Sequence, residues 1–191
     1  MRNTSERPFT ILDAMILIAA TAAGLGVTRD WAEPFFMDML RVYEVPPVSG
    51  LVNTAGAVLT PITFYWTIAA VGIRLRRPRP SLRRLGRQPG LVACLAVILE
   101  ALIHFFLTRY WVLFSGKARP GEVSTLLMNL SPPHLVAPAV AVAWVVLAVS
   151  GRWRPDPGWI DRLGRSVGFA WLALLVILIV RTMLYAVGLI R

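Results

Sequence analysis

The chain has 191 residues, of which 57% are hydrophobic and only 16% are charged, and its mean hydropathy is +0.64. A soluble domain is nearer half apolar and a quarter charged, so this composition argues against an ordinary soluble domain. The formal net charge of +10 does not indicate nucleic-acid binding, because the basic residues lie in short segments between apolar runs. Anionic lipid headgroups are the partner that such positively charged flanks fit.

The apolar residues are gathered into five blocks, each close to the roughly 20 residues that a helix needs to cross a bilayer. We therefore predict an all-α fold, a single integral membrane helical bundle over residues 1–191 with five transmembrane helices. The predicted spans, in chain order, are about 9–28, 50–73, 90–113, 133–151 and 167–189.

The first span begins with a predicted helix cap. The Thr10 side chain can accept a backbone N–H, and the Asp13 carboxylate is favoured near the positive end of a helix. Arg2 and Arg7 before an apolar run also fit a cleaved secretory signal. Asp13 interrupts that run, which is longer than a usual signal core, so a retained span is the preferred interpretation and cleavage stays open.

The segment after the first span has the periodicity of a short amphipathic helix. Its large apolar residues at helical spacing are Phe35, Phe36, Met39, Leu40 and Tyr43. Pro34 suits the first turn of a helix. We predict an outer amphipathic helix over about 33–44 that lies on the membrane surface.

Two loops on one side of the bundle are rich in arginine. Loop 74–89 is too short and too proline-rich to fold alone, and "GRWRPDPGWIDRLGR" (151–165) sets tryptophans among arginines, as is typical of the headgroup level. The residues predicted to contact lipid headgroups are Arg76, Arg77, Arg79, Arg83, Arg84, Trp153 and Trp159. A role in topology alone, or docking of an acidic partner, stays open.

The distribution of basic residues predicts the orientation. With five spans, 13 of the 20 Lys and Arg residues fall on the side of the N-terminus, six fall on the opposite side and one lies within a span. The positive-inside rule then puts the N-terminus in the cytoplasm and the C-terminus outside.

Small residues predict which helix faces pack, because helices in lipid associate through close backbone approach. In the first span the i, i+4 pairs of small residues are Ala19/Ala23, Ala20/Gly24 and Ala22/Gly26. The fourth span repeats alanine at Ala137, Ala139, Ala141 and Ala143. Both spans are predicted to pack inside the bundle, whereas the bulky fifth span is predicted to expose one side to lipid.

Glu100 and His104 lie one turn apart in the third span, where a buried ionisable group costs several kcal/mol unless it is compensated. Counting residues from the predicted cytoplasmic ends puts Arg181 of the fifth span level with His104 and within reach of Glu100. We predict a buried Glu100–Arg181 contact, with His104 and Tyr185 in the same polar network.

Three functional hypotheses compete with a purely structural ion pair. A metal site would need Glu100, His104 and His134 to converge, and a haem would need the two histidines at matched depth. A proton or ion path through Glu100 and His104 is chemically natural, because histidine titrates near neutrality. The sequence contains no hydrolase, zinc-protease or phosphate-binding motif. A lone cysteine, Cys94, allows no intrachain disulfide.

Two segments, "RPFTILDAMILIAATAAGLG" (7–26) and "SGRWRPDPGWIDRLGR" (150–165), resemble segments of uncharacterised multi-pass membrane proteins of planctomycete bacteria. The resemblance implies a bacterial inner-membrane protein and brings no activity with it. We therefore expect a non-enzymatic membrane protein without a cofactor, either accessory or structural, or a small subunit of a membrane assembly with a membrane-protein partner. The alternative is a small transporter or proton- or ion-conducting protein that uses Glu100, His104 and Arg181.

Overall fold

The computed structural model describes residues 9–42, 47–76, 86–115 and 133–186, without the side chains of 30–42, 47–57, 109, 111–115, 181, 184 and 185. Over these ranges the chain forms α-helices and no strand, which confirms the predicted all-α class. The helices are α1 (Ile11–Val42), α2 (Pro47–Leu75), α3 (Pro89–Ser115), α4 (Pro133–Val149) and α5 (Trp159–Ala186).

Four of these helices are long and apolar enough to cross a membrane. Their apolar windows are Ile11–Arg29, Val58–Leu75, Pro89–Thr108 and Trp159–Val180. The remaining helix, α4, has 17 residues. Its length of about 26 Å is shorter than the roughly 30 Å thickness of the hydrocarbon core. The predicted span over 133–151 is therefore an apolar helix, but a shorter one than expected.

The end of α4 is set by Gly151, whose positive φ of 63° is a conformation that glycine adopts without strain. The N–H of Gly151 donates to the Ala148 carbonyl at 3.1 Å, and the N–H of Arg152 donates to the Leu147 carbonyl at 3.0 Å. This pair of bonds is the Schellman motif, which satisfies carbonyls that the helix leaves open at its end.

The start of α1 has the predicted cap. The Thr10 hydroxyl accepts the Asp13 N–H at 3.2 Å, and the Asp13 carboxylate accepts the Thr10 N–H at 3.1 Å. The two residues thus satisfy two otherwise open donors reciprocally.

The predicted break between the first span and a separate outer helix is wrong. The backbone of α1 is helical over 33–42, as predicted, but it continues from the span without interruption. Pro34, which was predicted to lie in the first turn of a new helix, lies inside α1, where it removes one backbone hydrogen bond without ending the helix.

Helices α3, α4 and α5 pack against one another, α2 packs against α3 and α5, and α1 packs mainly on α2. Apolar side chains from α3, α4 and α5 form the main core, which consists of Ala93, Val97, Val136, Ala137, Val140, Trp144, Val167, Trp171 and Leu174. Large apolar side chains remain exposed along the outside of the bundle, as lipid-facing helices require.

Helices α3 and α5 meet at glycines that were not among the small residues predicted to pack. A Cβ on Gly90 of α3 would lie 2.2 Å from the Asp161 carbonyl oxygen of α5, and one on Gly164 would lie 2.6 Å from the Gly90 carbonyl carbon. One turn later, a Cβ on Gly168 would lie 2.6 Å from the Trp144 ring. The polar start of α5 is thus a close-packing face that was not predicted, and it is used in addition to faces of the first and fourth spans.

In α1 only one of the predicted small pairs is buried. Ala20 and Gly24 face inward, and a Cβ on Gly24 would lie 2.7 Å from the Cα of Ile62 in α2. The members of the other two pairs, Ala19, Ala22, Ala23 and Gly26, are exposed.

Candidate functional site

One end of the bundle carries a partly buried polar network that joins four segments of the chain. It is formed by Arg74 at the end of α2, Gln88 and Gly90 at the start of α3, Asp156 in the α4–α5 loop, and Asp161 and Arg165 in α5. We call this set the end network.

Asp156 ties the α4–α5 loop to the two preceding helices. One carboxylate oxygen accepts hydrogen bonds from Arg74 Nη2 at 3.0 Å and from Gln88 Nε2 at 2.7 Å. Arg74 Nε also donates to Gln88 Oε1 at 3.1 Å, which closes a three-residue ring. The other carboxylate oxygen accepts the Gly158 N–H at 3.1 Å, a local turn that aspartate favours before a helix.

Asp161 ties α5 to the start of α3. Its Oδ1 accepts the Gly90 N–H at 2.9 Å, so a residue of α5 satisfies a donor that the first turn of α3 leaves open. Its Oδ2 accepts the Asp156 N–H at 3.2 Å and lies 3.3 Å from Arg165 Nε, an ion pair without hydrogen-bond geometry. A negative charge at this point also complements the positive helix end.

The start of α1 joins the same end of the bundle. Asp13 is fully buried, and its Oδ1 lies 3.5 Å from Nη1 of the half-exposed Arg76. The Phe9 ring meets the Trp159 ring edge to face, with 4.9 Å between ring centroids. The starts of α1, α3 and α5 therefore lie at one end together with the end of α2 and the residues that follow α4.

The cavity beside the end network is small. Its volume is ≈ 10 Å³, and among its lining residues are Arg74, Gln88, Cys94 and Asp161. A space of this size holds about one water molecule. The arrangement can therefore fix helix ends in register and hold a water, but it has no room for an organic substrate.

The predicted intramembrane site is described in part. Glu100 and His104 are each partly buried, and Glu100 Oε2 is buried with no hydrogen-bond partner in the described part of the chain. The side chains of Arg181 and Tyr185 lie outside the described residues, so the predicted network stays a prediction.

The register of α3 and α5 changes the expected depth of Arg181. Gly90 and Gly164 are in contact and therefore lie at the same level. Glu100 is ten residues further along α3 than Gly90, and Arg181 is seventeen residues further along α5 than Gly164. At 1.5 Å per residue, Arg181 is about 10 Å beyond Glu100 and nearer to the level of His104. The sequence estimate counted the fifth span from 167, three residues beyond Gly164, and therefore put Arg181 nearer to the level of Glu100 than this register does.

Glu100, His104 and His134 do not meet. Among the described residues no three His, Cys, Asp or Glu side chains form a group that could hold a metal ion, and His134 is exposed in the first turn of α4.

The residues predicted to contact lipid headgroups have different surroundings. Arg76 pairs with Asp13, and Trp159 packs on Phe9. Trp153 is exposed, with its ring edge to face on Trp144 at 5.8 Å between centroids. The four arginines of this set that lie outside the described residues are Arg77, Arg79, Arg83 and Arg84.

The end network itself was not predicted from the sequence. A signal was available, because Asp156 and Asp161 are the only acidic residues after Glu122 and stand in a segment rich in arginine. Acidic residues that are isolated among many basic residues are expected to form specific contacts with particular side chains.

Helices long and apolar enough to cross a bilayer, with exposed apolar side chains along them, are the features of a multi-pass helical membrane protein. Comparisons with models of known protein families, with curated proteins and with solved structures find no significant match. The resemblance to planctomycete membrane proteins therefore stays a prediction.

Proposed function

We propose that the chain is a non-enzymatic multi-pass protein of a bacterial inner membrane, with an accessory or structural role or a place as a small subunit of a membrane assembly. The observation that carries the proposal is the end network. Its carboxylates bind side chains and backbone donors from other segments of the same chain, as in the Arg74–Asp156 and Asp161–Gly90 contacts. Charged groups used in this way hold helices together, which is a structural task.

We further propose five membrane crossings with the N-terminus in the cytoplasm. The end network supports this arrangement, because the end of α2 meets the start of α3 and the residues after α4 meet the start of α5. The arginine-rich segments are then on one side, as the positive-inside rule requires. The short α4 can cross if the bilayer thins locally or flanking residues reach the interface.

Reporter fusions test the topology. Alkaline phosphatase fused after Ala186 is expected to be active, because this end of α5 would lie outside the cell, while the same enzyme fused after Arg154 is expected to be inactive. A fluorescent protein at the N-terminus is expected to fluoresce. An inactive phosphatase after Ala186, with the protein present at normal level, would contradict the five-crossing arrangement.

A second candidate function is proton or ion conduction through the bundle. Glu100 favours it, because one of its carboxylate oxygens is buried with no hydrogen-bond partner among the described residues. Ionisable residues at membrane depth often belong to ion paths. His104, one turn further along α3, would be the next group in such a path.

Proton flux into vesicles separates the two candidates. The accessory role predicts that reconstituted protein dissipates a pH gradient no faster than empty vesicles do, and that a stoichiometric partner co-purifies in mild detergent. Conduction predicts a faster loss of the gradient that Glu100→Gln abolishes and that His134→Gln, a change at an exposed histidine, leaves intact. A chain that purifies alone and conducts protons would overturn the accessory role.

A further inference from the structure

Two loops are held side by side at the same end of the bundle as the end network. The Arg154 N–H donates to the Arg87 carbonyl at 3.0 Å, which joins the α4–α5 loop to the residues just before α3. Arg87, Arg152 and Arg154 are all exposed. We call these three residues the basic patch.

The positive charge of the basic patch is not neutralised by the acidic residues nearest to it in the chain. Asp156 binds Arg74 and Gln88, and Asp161 contacts Arg165 and the backbone of the network. Within the described ranges no ion pair involves an arginine of the basic patch. The patch therefore presents three cationic groups to the surroundings.

An apolar surface ends directly beside the basic patch. The last turns of α4 expose Val145, Val146 and Val149, the last of these at 83% of its full area. Trp153 stands between two arginines of the patch, and its exposed ring rests edge to face on Trp144. Tryptophan is enriched where the hydrocarbon region meets the headgroups, so an exposed tryptophan between an apolar surface and arginines fits the level of the lipid phosphates.

We propose that the basic patch, with Trp153, is a binding site for the phosphate group of an anionic phospholipid. The proposal rests on the membrane location proposed above. Guanidinium groups bind phosphate oxygens in pairs of charge-assisted hydrogen bonds, and the neighbouring apolar surface fits acyl chains. An acidic protein would match the charge but would leave that apolar surface without a partner.

Phosphatidylglycerol added to the full chain in a neutral detergent tests the site by its effect on thermal stability, measured against the same mole fraction of phosphatidylcholine. The wild type is expected to be stabilised by phosphatidylglycerol alone. Arg152→Gln/Arg154→Gln is expected to bind it about 25-fold more weakly, from about fivefold for each charge. The matched control, Arg29→Gln/Arg41→Gln, removes one charge at the last residue of the apolar window of α1 and one further along the same helix, and it is expected to bind as the wild type does.

Three results would overturn the proposal. The first is that the patch variant, Arg152→Gln/Arg154→Gln, binds phosphatidylglycerol as tightly as the wild type does, while the two proteins are equally stable in phosphatidylcholine. The second is equal stabilisation by soluble glycerol phosphate, which would make the ligand a free phosphate. The third is loss of a stoichiometric acidic protein from the patch variant with lipid binding intact. None of these results bears on the topology or on proton flux, so they leave the proposed function standing.

Discussion

Alanine in place of Asp161 is expected to lower the free energy of unfolding by about 2–4 kcal/mol, because each buried donor left without an acceptor costs about 1–3 kcal/mol. The substitution leaves the Gly90 and Asp156 N–H groups without their acceptor and the Arg165 side chain without its counter-charge. The loss also separates the start of α5 from the start of α3. Asp161→Asn is expected to cost less, because the amide oxygen can still accept one of these N–H groups.

The native thiol gives a convenient measurement of this effect. Cys94 is the only cysteine, is 1% exposed and lines the small cavity beside Asp161, so a thiol-reactive dye labels it only when the bundle opens. Labelling during heating in mild detergent is expected to start at a clearly lower temperature in Asp161→Ala than in the wild type. Arg162→Ala is the control, since Arg162 is exposed and such surface changes usually stay within about 0.5 kcal/mol. Equal labelling of both variants would contradict the structural role given to Asp161.

The positions of the helices were largely predictable, because the length of an apolar run is itself the physical requirement for crossing a bilayer. The predicted spans and the observed helices differ in length where polar residues continue a helix. The fifth span was predicted from 167, beyond Arg162 and Arg165, and α5 begins at Trp159. Helices tolerate such residues when the side chains reach solvent or a partner, and Arg165 has the Asp161 carboxylate.

The outer segment after the first span shows a different limit. Its amphipathic pattern reports which residues share a face, and the helical backbone over 33–42 agrees with it. The same pattern carries no information on whether a helix joins the one before it. Pro34 fits the first turn of a new helix as well as the interior of a longer one, and in the structure it lies inside α1.

The end network could not be derived from local pattern, because its contacts join residues far apart in sequence. Gly90 and Asp161 are 71 positions apart, and Arg74 and Asp156 are 82 apart. The sequence predicted a partner for a charged group within the membrane, at Glu100, because burial makes an ionisable group costly there. The structure shows that charged residues at a helix end also become buried when neighbouring helix ends converge on them.

The glycine contact between α3 and α5 determines whether that convergence is possible. A Cβ on Gly164 would lie 2.6 Å from both the carbonyl carbon and the carbonyl oxygen of Gly90, and one on Gly90 would lie 2.2 Å from the Asp161 carbonyl oxygen. These neighbours are backbone atoms and cannot rotate aside. The two helices would therefore have to separate, which also breaks the Gly90–Asp161 hydrogen bond.

Gly90→Ala and Gly164→Ala are therefore each expected to destabilise the bundle. The expected cost is about 1–3 kcal/mol or more, as is typical of overpacking, and the folded yield in membranes is expected to fall. Gly26 and Gly72 provide matched controls, because both are exposed helical glycines with nothing within 4 Å of the added Cβ. Alanine there is expected to be neutral or to stabilise by roughly 0.5–1 kcal/mol, since glycine has the greater backbone freedom to lose. Dye labelling of Cys94 during heating measures the thermal stability of all four variants. Equal thermal stability of Gly164→Ala and Gly72→Ala would show that α3 and α5 do not approach each other through their glycines.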